Sequence, residues 1–289
     1  MSPRLILGTV QFGLAYGIAN HGGQVSSIDA VSILLAARAG GLDTLDTAIA
    51  YGESETCLGA AGVTDWRIIT KLPTVPDICP DVAAWVAAQL AGSLSRLGVD
   101  RLHGLLLHNP LQLRGPHGPD LAAALHAVRT DGRVGRIGVS IYSPEDLAVI
   151  YPMLRPDIVQ APLNLLDRRL VDSGWLQRLG DYGVEVHTRS SFLQGLLLMP
   201  QVPARFAQWS PIWSRWREWL DANKVQPTAA CLAYPLSLPQ VANVVIGVDS
   251  PGQFAELLAV RRALPPADEL PDISCIDERL INPSNWNMP

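Results

Sequence analysis

The chain has 289 residues, a formal net charge of −5, and hydrophobic residues at 48% of its positions. This length and composition allow a large buried core, and an acidic balance without any basic run argues against a nucleic-acid partner. The four cysteines contain no C-x-x-C pair, so neither a zinc site nor a disulfide framework is expected, and a reducing cytoplasmic compartment is the simpler interpretation.

Membrane and targeting segments are also not expected. No stretch approaches the roughly 18 consecutive apolar residues of a membrane span. The first residues, MSPRLILGTVQFG, hold too short an apolar run for a secretory signal. We therefore expect a cytoplasmic protein with no membrane partner and no bound metal, and a monomer is the default expectation.

Eight short runs rich in Val, Ile and Leu recur along the chain without strict polar alternation, as in strands buried on both faces. These predicted strands cover residues 4–10, 41–46, 66–71, 101–108, 133–140, 156–162, 183–190 and 241–247.

Helical patterns separate the predicted strands. Apolar residues of the segment 81–97 fall on one helical face, and Gly98 follows as a stop signal. Helix starts are predicted at Ser26 with Asp29, at Ser143-Pro144 and at Ser250-Pro251, and further helices over 119–131, 167–181 and 228–237.

Eight strand-then-helix units predict an α/β fold, a (β/α)8 TIM barrel that forms a single domain over residues 1–289. A doubly wound open sheet is the runner-up. That fold usually carries G-x-G-x-x-G after its first strand, whereas this chain has GTVQFGLAYG there, and no phosphate-binding P-loop is found either.

Two segments fall outside the repeat, the tryptophan-rich residues 200–226 and the C-terminal tail 265–289. Loops that follow barrel strands rise from the catalytic face. We expect both segments, with Gln11 and Phe12, to form walls of a substrate pocket. The tryptophans themselves are expected to pack as a helix on the barrel rim.

Ionisable residues stand where the second, third and fourth predicted strands end: Asp46 with Tyr51 just beyond it, Lys71, and His108. The carboxyl ends of barrel strands share one mouth, so these side chains should converge. A charge next to a core needs a partner, so Lys71 should pair with Asp46. An ammonium beside a phenol favours the phenolate, which would let Tyr51 exchange a proton near neutral pH. Each residue alone has an ordinary explanation as an ion pair, a rim tyrosine or a core histidine.

The motifs around these residues resemble those of the aldo-keto reductase superfamily. The stretch LDTAIAYGESETCLG is similar to the family signature, and LILGTVQFG, IITK, LLLHNP, RVGRIGVS and QAPLNLL follow in the family's order over about residues 4–260. The resemblance implies a (β/α)8 barrel that reduces an aldehyde or ketone with NAD(P)H. It implies that Tyr51 is the general acid, that Lys71 and Asp46 tune it, and that His108 orients the carbonyl group.

The resemblance also implies cofactor contacts. Matching positions are Gly8, Thr9 and Val10 near the ribose and nicotinamide, Ser140, Gln160 and Asn164 near the carboxamide, Arg189 at the ring-stacking position, and Gly247, Asp249, Ser250, Gln253 and Glu256 around the adenosine end.

Three positions depart from the family pattern. Ile141 stands where the family often has Asn, and Arg189 replaces the usual stacking aromatic residue. A guanidinium plane can stack on a ring, or can face a carboxylate or phosphate of the substrate. The positions of the basic clamp for the 2′-phosphate hold Val248 and Gln253, with Asp249 nearby. The family habit predicts NADP, whereas these residues make NAD plausible.

Two functions from different classes are consistent with these motifs. The first is a reversible carbonyl reductase acting on a small-molecule substrate. The second is an NAD(P)-binding accessory subunit with little turnover. The presence of all four candidate residues favours the enzyme. A metal-dependent hydrolase is disfavoured because GTVQFG lacks the His-x-His pair.

Overall fold

The computed structural model describes residues 4–286. Eight parallel strands close into one barrel in chain order, with the last strand paired to the first. The strands are β1 Leu5–Gly8, β2 Thr44–Asp46, β3 Arg67–Leu72, β4 Leu102–Leu107, β5 Val134–Ser140, β6 Ile158–Pro162, β7 Glu185–Arg189 and β8 Val241–Ile246. This closed sheet confirms the predicted (β/α)8 barrel.

Helices follow the strands and cover the outside of the barrel. They are α1 Ser27–Ala39, α2 Ser54–Ala61, α3 Val82–Leu97, α4 Gly118–Thr130, α5 Asp146–Leu154, α6 Arg169–Asp172, α7 Trp175–Asp181, α8 Ser210–Asn223, α9 Pro227–Ser237, α10 Pro251–Val260 and α11 Glu278–Ile281. Short 3₁₀ turns occupy several of the connecting loops.

Side chains from five of the strands fill the barrel interior. Ile6, Ile69, Leu106 and Ile158 form an inner apolar layer with Val245 packed against it. A separate and larger core lies between the strands and the surrounding helices. Both faces of the sheet are therefore buried, which explains why the strands appear in the sequence as apolar runs without alternation.

Local signals set the helix boundaries. The side chains of Ser26, Asp81 and Ser250 accept hydrogen bonds from the first turns of α1, α3 and α10, and Gly98 ends α3 in the left-handed conformation. α5 starts at Asp146, later than the predicted start at Ser143-Pro144, because residues 143–146 first form a turn in which Asp146 N donates to Ser143 O at 3.2 Å.

The helix predicted over 167–181 is wrong as one element. α6 and α7 are separate, and Gly174 lies between them with a φ of +74°. A residue in the left-handed region interrupts the helical hydrogen-bond ladder, so the chain changes direction there.

The segment 200–226 and the tail pack against each other in what we call the outer tryptophan cluster. Trp213 and Trp216 of α8 are buried there, and their indole N–H groups donate to the backbone carbonyls of Phe206 and Leu197 at 2.9 and 3.1 Å. Trp286 from the tail completes the cluster. Residues 287–289 of the predicted tail lie outside the described residues.

No helix within residues 4–286 is long and apolar enough to cross a membrane. Over the same residues, no group of three or more His, Cys, Asp or Glu side chains is placed to hold a metal ion.

Candidate active site

A cavity of about 820 Å³ opens at the carboxyl ends of the strands. It is lined by strand ends and by the loops after β1, β2, β5, β7 and β8. Asp46, Tyr51 and His108 lie on its wall, so the structure brings three of the candidate residues to one surface.

Lys71 lies directly behind this wall and is fully buried. Its Nζ donates to Asp46 Oδ1 at 2.6 Å and to the Thr47 carbonyl at 2.8 Å, and it lies 3.5 Å from the Tyr51 hydroxyl. These three contacts use all N–H donors of the ammonium. The predicted pairing of Lys71 with Asp46 is therefore present, and it reaches the phenol.

Burial alone would lower the pKa of Lys71, but the charge of Asp46, with the further contact of Tyr51, raises it above its ordinary value. Lys71 is therefore an ammonium ion at neutral pH, held against the phenol oxygen by a carboxylate on its other side.

Asp46 has a second partner that fixes its orientation. Gln160 Nε2 donates to Asp46 Oδ2 at 2.7 Å, and Ser140 Oγ donates to Gln160 Oε1 at 3.4 Å. Both oxygens of Asp46 are thus engaged, so the carboxylate has one orientation. Ser140 and Gln160 also line the cavity, as expected for cofactor contacts.

Two glycines place Tyr51 at the cavity wall. A Cβ atom on Gly13 would lie 1.8 Å from the Tyr51 carbonyl oxygen, and one on Gly52 would lie 2.5 Å from the Gly13 carbonyl oxygen. Gly52 also has a φ of +53°. Only glycine at both positions allows the loop after β1 to pack against the turn that carries the phenol.

His108 lies opposite the phenol. Its ring meets the Tyr51 ring edge-on, with centroids 5.6 Å apart and an interplanar angle of 80°. Burial, followed by the nearby charges of Lys71 and Arg189, lowers the pKa of His108 to about 4. The imidazole is therefore neutral at pH 7 and can donate a hydrogen bond to a carbonyl oxygen.

Most predicted cofactor residues reach the cavity. Its lining includes Gly8, Thr9, Val10, Ser140, Gln160, Arg189, Gly247, Asp249, Gln253 and Glu256.

Asn164 and Ser250 are not part of the lining. Asn164 is fully buried, and its amide nitrogen donates to the Ser190 carbonyl at 3.0 Å. Ser250 caps α10 by accepting a hydrogen bond from Gln253 N at 3.2 Å. Both residues shape the segments that face the cavity and do not face it themselves.

The end of the cavity near β8 is acidic, with Asp249 and Glu256 and no lysine among the described lining residues. Asn20 Nδ2 donates to Asp249 Oδ1 at 3.3 Å, and the Asp249 amide donates to Gln253 Oε1 at 2.8 Å. Burial raises the pKa of Asp249. Among the described residues that line the cavity, Arg189 is the one Lys or Arg side chain.

Sequence reasoning missed several wall residues. Tyr16, Tyr142, Ser191 and Gln194 lie on loops, where no periodic pattern marks a residue as facing inward. Conversely, Phe12 is buried in the core, the segment 200–226 contributes Pro200 alone to the lining, and residues 265–286 contribute none. The expectation that these segments form the pocket walls is therefore wrong. Their apolar side chains bury one another in the outer tryptophan cluster.

Some polar atoms in the lining have no hydrogen-bond partner in the part of the chain that the structure describes. Gln11 Oε1, Ser191 Oγ and Gln194 Oε1 are buried without a hydrogen bond among the described residues. Buried polar atoms of this kind are costly unless a ligand or water satisfies them. The lining therefore fits a polar ligand that spans the cavity.

The model of the aldo/keto reductase family matches residues 4–278 of the chain. The chain belongs to the aldo/keto reductase family. Proteins of this family are in general oxidoreductases that reduce carbonyl groups with NAD(P)H.

Two aldo-keto reductases from Mycobacterium sp., strains KMS and JLS, are each 34% identical over 128 residues, which is 42% of this chain. The match spans 44% of the length of these curated relatives.

Solved aldo-keto reductase structures share the fold. AKR11C1 from Bacillus halodurans, in its holo form, aligns with a TM-score of 0.74 at 20% identity, covering 93% of this chain and 90% of that one. A Pseudomonas aeruginosa protein assigned to the same family aligns with a TM-score of 0.67 at 22% identity, covering 93% and 91%.

Proposed function

We propose that this aldo-keto reductase reduces a small aldehyde or ketone to the alcohol with a nicotinamide cofactor, reversibly, with Tyr51 as the general acid. The observation that carries the proposal is the continuous contact from Asp46 through Lys71 to the Tyr51 hydroxyl, opposite His108, on the wall of the cavity.

The proton path follows from these contacts. The reduced cofactor, when bound, supplies the hydride that adds to the carbonyl carbon. Tyr51 gives its hydroxyl proton to the carbonyl oxygen, and the ammonium of Lys71 stabilises the phenolate that remains. Asp46 keeps Lys71 charged and in place. In the oxidative direction the same phenolate takes the proton back from the alcohol.

His108 holds the carbonyl group in position. As a neutral imidazole at pH 7, it can donate a hydrogen bond to the oxygen that receives the proton from Tyr51. A neutral donor orients the carbonyl without competing as an acid, so proton transfer stays with the phenol.

The polar lining suits the cofactor. Residues at the carboxyl ends of β1, β5 and β6 would hold the nicotinamide end next to Tyr51. The unpartnered atoms of Gln11, Ser191 and Gln194 would find partners along the cofactor. Asp249, Gln253 and Glu256 would hold the adenosine end, as the sequence resemblance implies.

The charges at that end favour NADH over NADPH. A 2′-phosphate needs Lys or Arg, but the lining near β8 offers Asp249 and Glu256 with Val248 and Gln253. A carboxylate in a partly buried position repels a phosphate. Family habit predicts NADP; on the basis of these charges we propose a preference for NADH.

The role of Tyr51 is tested with Tyr51→Phe. Turnover of a panel of small aldehydes should fall by about 100-fold or more, since general acid catalysis is lost. The Kd for NADH, measured by isothermal titration calorimetry, should change little, because the phenol ring stays in place. A fully active variant would contradict the proposed role.

Tyr182→Phe is the matched control, because Tyr182 stacks on Tyr151 and does not line the cavity. It should retain the activity of the unaltered protein. Tight cofactor binding without turnover of any carbonyl in the panel would instead support the accessory-subunit alternative.

The cofactor preference is tested by calorimetric titration with NADH and NADPH. NADH should bind more tightly. Asp249→Asn removes the charge but keeps the side-chain size, so it should strengthen NADPH binding by up to about tenfold while the Kd for NADH changes less. Equal effects on the two cofactors would show that Asp249 does not face the 2′ position.

A further inference from the structure

Arg189 is the cation of the cavity for which residues 4–286 supply no ion-pair partner. It ends β7 and lines the cavity. Its Nη2 donates to the Ile141 carbonyl at 2.9 Å and its Nη1 to Ser190 Oγ at 3.2 Å, both neutral acceptors. No carboxylate of residues 4–286 forms an ion pair with it.

The acids that line the cavity are not available to Arg189. Both oxygens of Asp46 are engaged by Lys71 and Gln160. Asp249, which accepts a hydrogen bond from Asn20, and Glu256 of α10 both lie on the segment that follows β8, and neither forms an ion pair with Arg189. A partly buried guanidinium without a counter-charge is unfavourable, so its presence calls for a charge that comes from outside the chain.

The guanidinium is held rigidly in place. It lies over the Tyr142 ring, 4.6 Å from the centroid. Ser190, which accepts from it, has a φ of +63°, and the buried Asn164 fixes this strained residue through the Ser190 carbonyl at 3.0 Å. A strained backbone with a dedicated buried support is typical of a functional segment.

A second donor, the Tyr16 hydroxyl, lines the same cavity as Arg189. Gln194 Nε2 donates to the Tyr16 hydroxyl at 3.3 Å, which leaves the O–H of Tyr16 free to donate into the cavity. Burial raises the pKa of Tyr16 above its ordinary value, although the positive charge of Arg189 acts in the opposite direction. Tyr16 is therefore protonated at neutral pH.

Arg189 and His108 line the same cavity, and the positive charge of Arg189 contributes to lowering the pKa of His108. The oxidised nicotinamide is a cation. Oxidation of the cofactor would therefore place a second positive charge in the region of Arg189, and an anion in the cavity would relieve both.

We propose that the substrate of this enzyme is a carbonyl compound that carries an anionic group, a carboxylate or a phosphate, which binds between Arg189 and the Tyr16 hydroxyl. This inference rests on the proposed carbonyl reduction and adds the substrate class. Arg189 then determines specificity, and Asn164 and Tyr142 position it.

The test compares matched pairs of aldehydes that differ in charge. Succinic semialdehyde is compared with its methyl ester for a carboxylate, and glyceraldehyde phosphate with glyceraldehyde for a phosphate. The anionic member of at least one pair should have the higher kcat/KM by about tenfold or more, as for a hydrogen bond to a charged group. The pair with the larger ratio identifies the anion.

Variants of Arg189 assign the preference. Arg189→Met should lower the anion-to-neutral ratio of kcat/KM by about tenfold, and Arg189→Lys should restore part of it. Arg178→Met is the matched control, because Arg178 lies over the Trp175 ring outside the cavity. That variant should keep the ratio of the unaltered protein.

A binding measurement separates this proposal from the proposed activity. Succinate and inorganic phosphate are titrated calorimetrically into the protein saturated with NAD⁺. At least one should bind, and Arg189→Met should weaken it by about tenfold. If an anion binds in this way but no aldehyde is turned over, the result contradicts the proposed carbonyl reduction and leaves the anion site supported. Three results would each overturn the anion site. The first is an anion-to-neutral ratio of kcat/KM near one in the unaltered protein, and the second is no anion binding. The third is an effect of Arg189→Met that is confined to the Kd for NADH.

Discussion

At the scale of single residues, the chemistry depends on a buried charge pair. The Lys71 ammonium and the Asp46 carboxylate are both almost inaccessible to solvent. Removing one partner of a buried pair leaves the other charge without compensation, which is more costly than removing both. Stability and activity should therefore respond differently to single and double substitution.

Lys71→Met should lower the free energy of unfolding by about 3–5 kcal/mol and abolish turnover. The double variant Asp46→Asn with Lys71→Met should recover a large part of that stability, since no buried charge remains, and should stay inactive. Urea unfolding and kcat on the best aldehyde would measure both quantities. A single variant as stable as the double variant would contradict this account of the pair.

At the scale of elements, Glu55 of the family signature joins three of them. It is buried, and its Oε1 accepts hydrogen bonds from Thr70 of β3 and Ser93 of α3 at 2.6 and 2.7 Å. Its Oε2 accepts two from Arg96, at 2.9 and 2.7 Å. Gly59 allows the contact, because a Cβ atom there would lie 2.0 Å from the Arg96 carbonyl oxygen. Glu55 and Gly59 of the signature therefore hold α2 packed against α3.

Glu55→Gln should lower the free energy of unfolding by about 2 kcal/mol or more, because the charge-assisted bonds to Arg96 are weakened and an amide donor faces hydroxyl and guanidinium donors. Any change in turnover should arise from a shift of the turn that carries Tyr51, and not from a part played by Glu55 in proton transfer. Denaturant unfolding measures the loss.

Glu53→Gln is the matched control, since Glu53 is exposed at the start of the same helix. It should change stability by no more than a few tenths of a kcal/mol. Equal losses in the two variants would argue against the locking role of Glu55.

Strand positions were predictable because burial on both faces produces a continuous apolar run in the sequence. The predicted ends of these runs then located Asp46, Lys71 and His108. The loops were not predictable in the same way. Tyr16 and Gln194 face the cavity because of backbone turns, with φ of +53° at Gln194, that no periodicity encodes. The tryptophan-rich segment was misplaced because an apolar loop can cover either a ligand or another segment, and here it covers the tail.

At the scale of the whole molecule, acid should destabilise the fold in two stages. Burial lowers the pKa of His103 and His108 from 6.5 to about 4, so the unfolded chain binds more protons than the folded one between these values. Burial opposes the ionisation of Glu185, whereas the hydrogen bond to His187 favours it. The net effect lowers the pKa of Glu185 to about 2. The contribution of Glu185 to the free energy of unfolding is fully present above pH 4.5 and is lost as the pH falls towards 2.

The free energy of unfolding should therefore decrease as the pH falls below about 6.5, and His108→Gln should flatten the decrease between 6.5 and 4. The exposed His21→Gln is the control and should leave the profile unchanged. Denaturant unfolding at each pH supplies the measurement. An unchanged slope in His108→Gln would contradict the assignment.

The same unfolding curves address domain organisation. Phe192 and Tyr234 pack against both the barrel core and the outer tryptophan cluster. We propose that the chain is one domain for this reason. Circular dichroism and tryptophan emission should then report coincident transitions, and two separate transitions would contradict a single unit.

The placement of the tryptophans has an optical consequence. None of the eight tryptophans lines the cavity, and five of them lie in the outer tryptophan cluster. A bound nicotinamide therefore cannot quench them by contact and acts through space, by energy transfer. The reduced ring absorbs where tryptophan emits and the oxidised ring does not. Emission intensity would thus report the redox state of the bound cofactor during turnover, with no chromophore needed on the substrate.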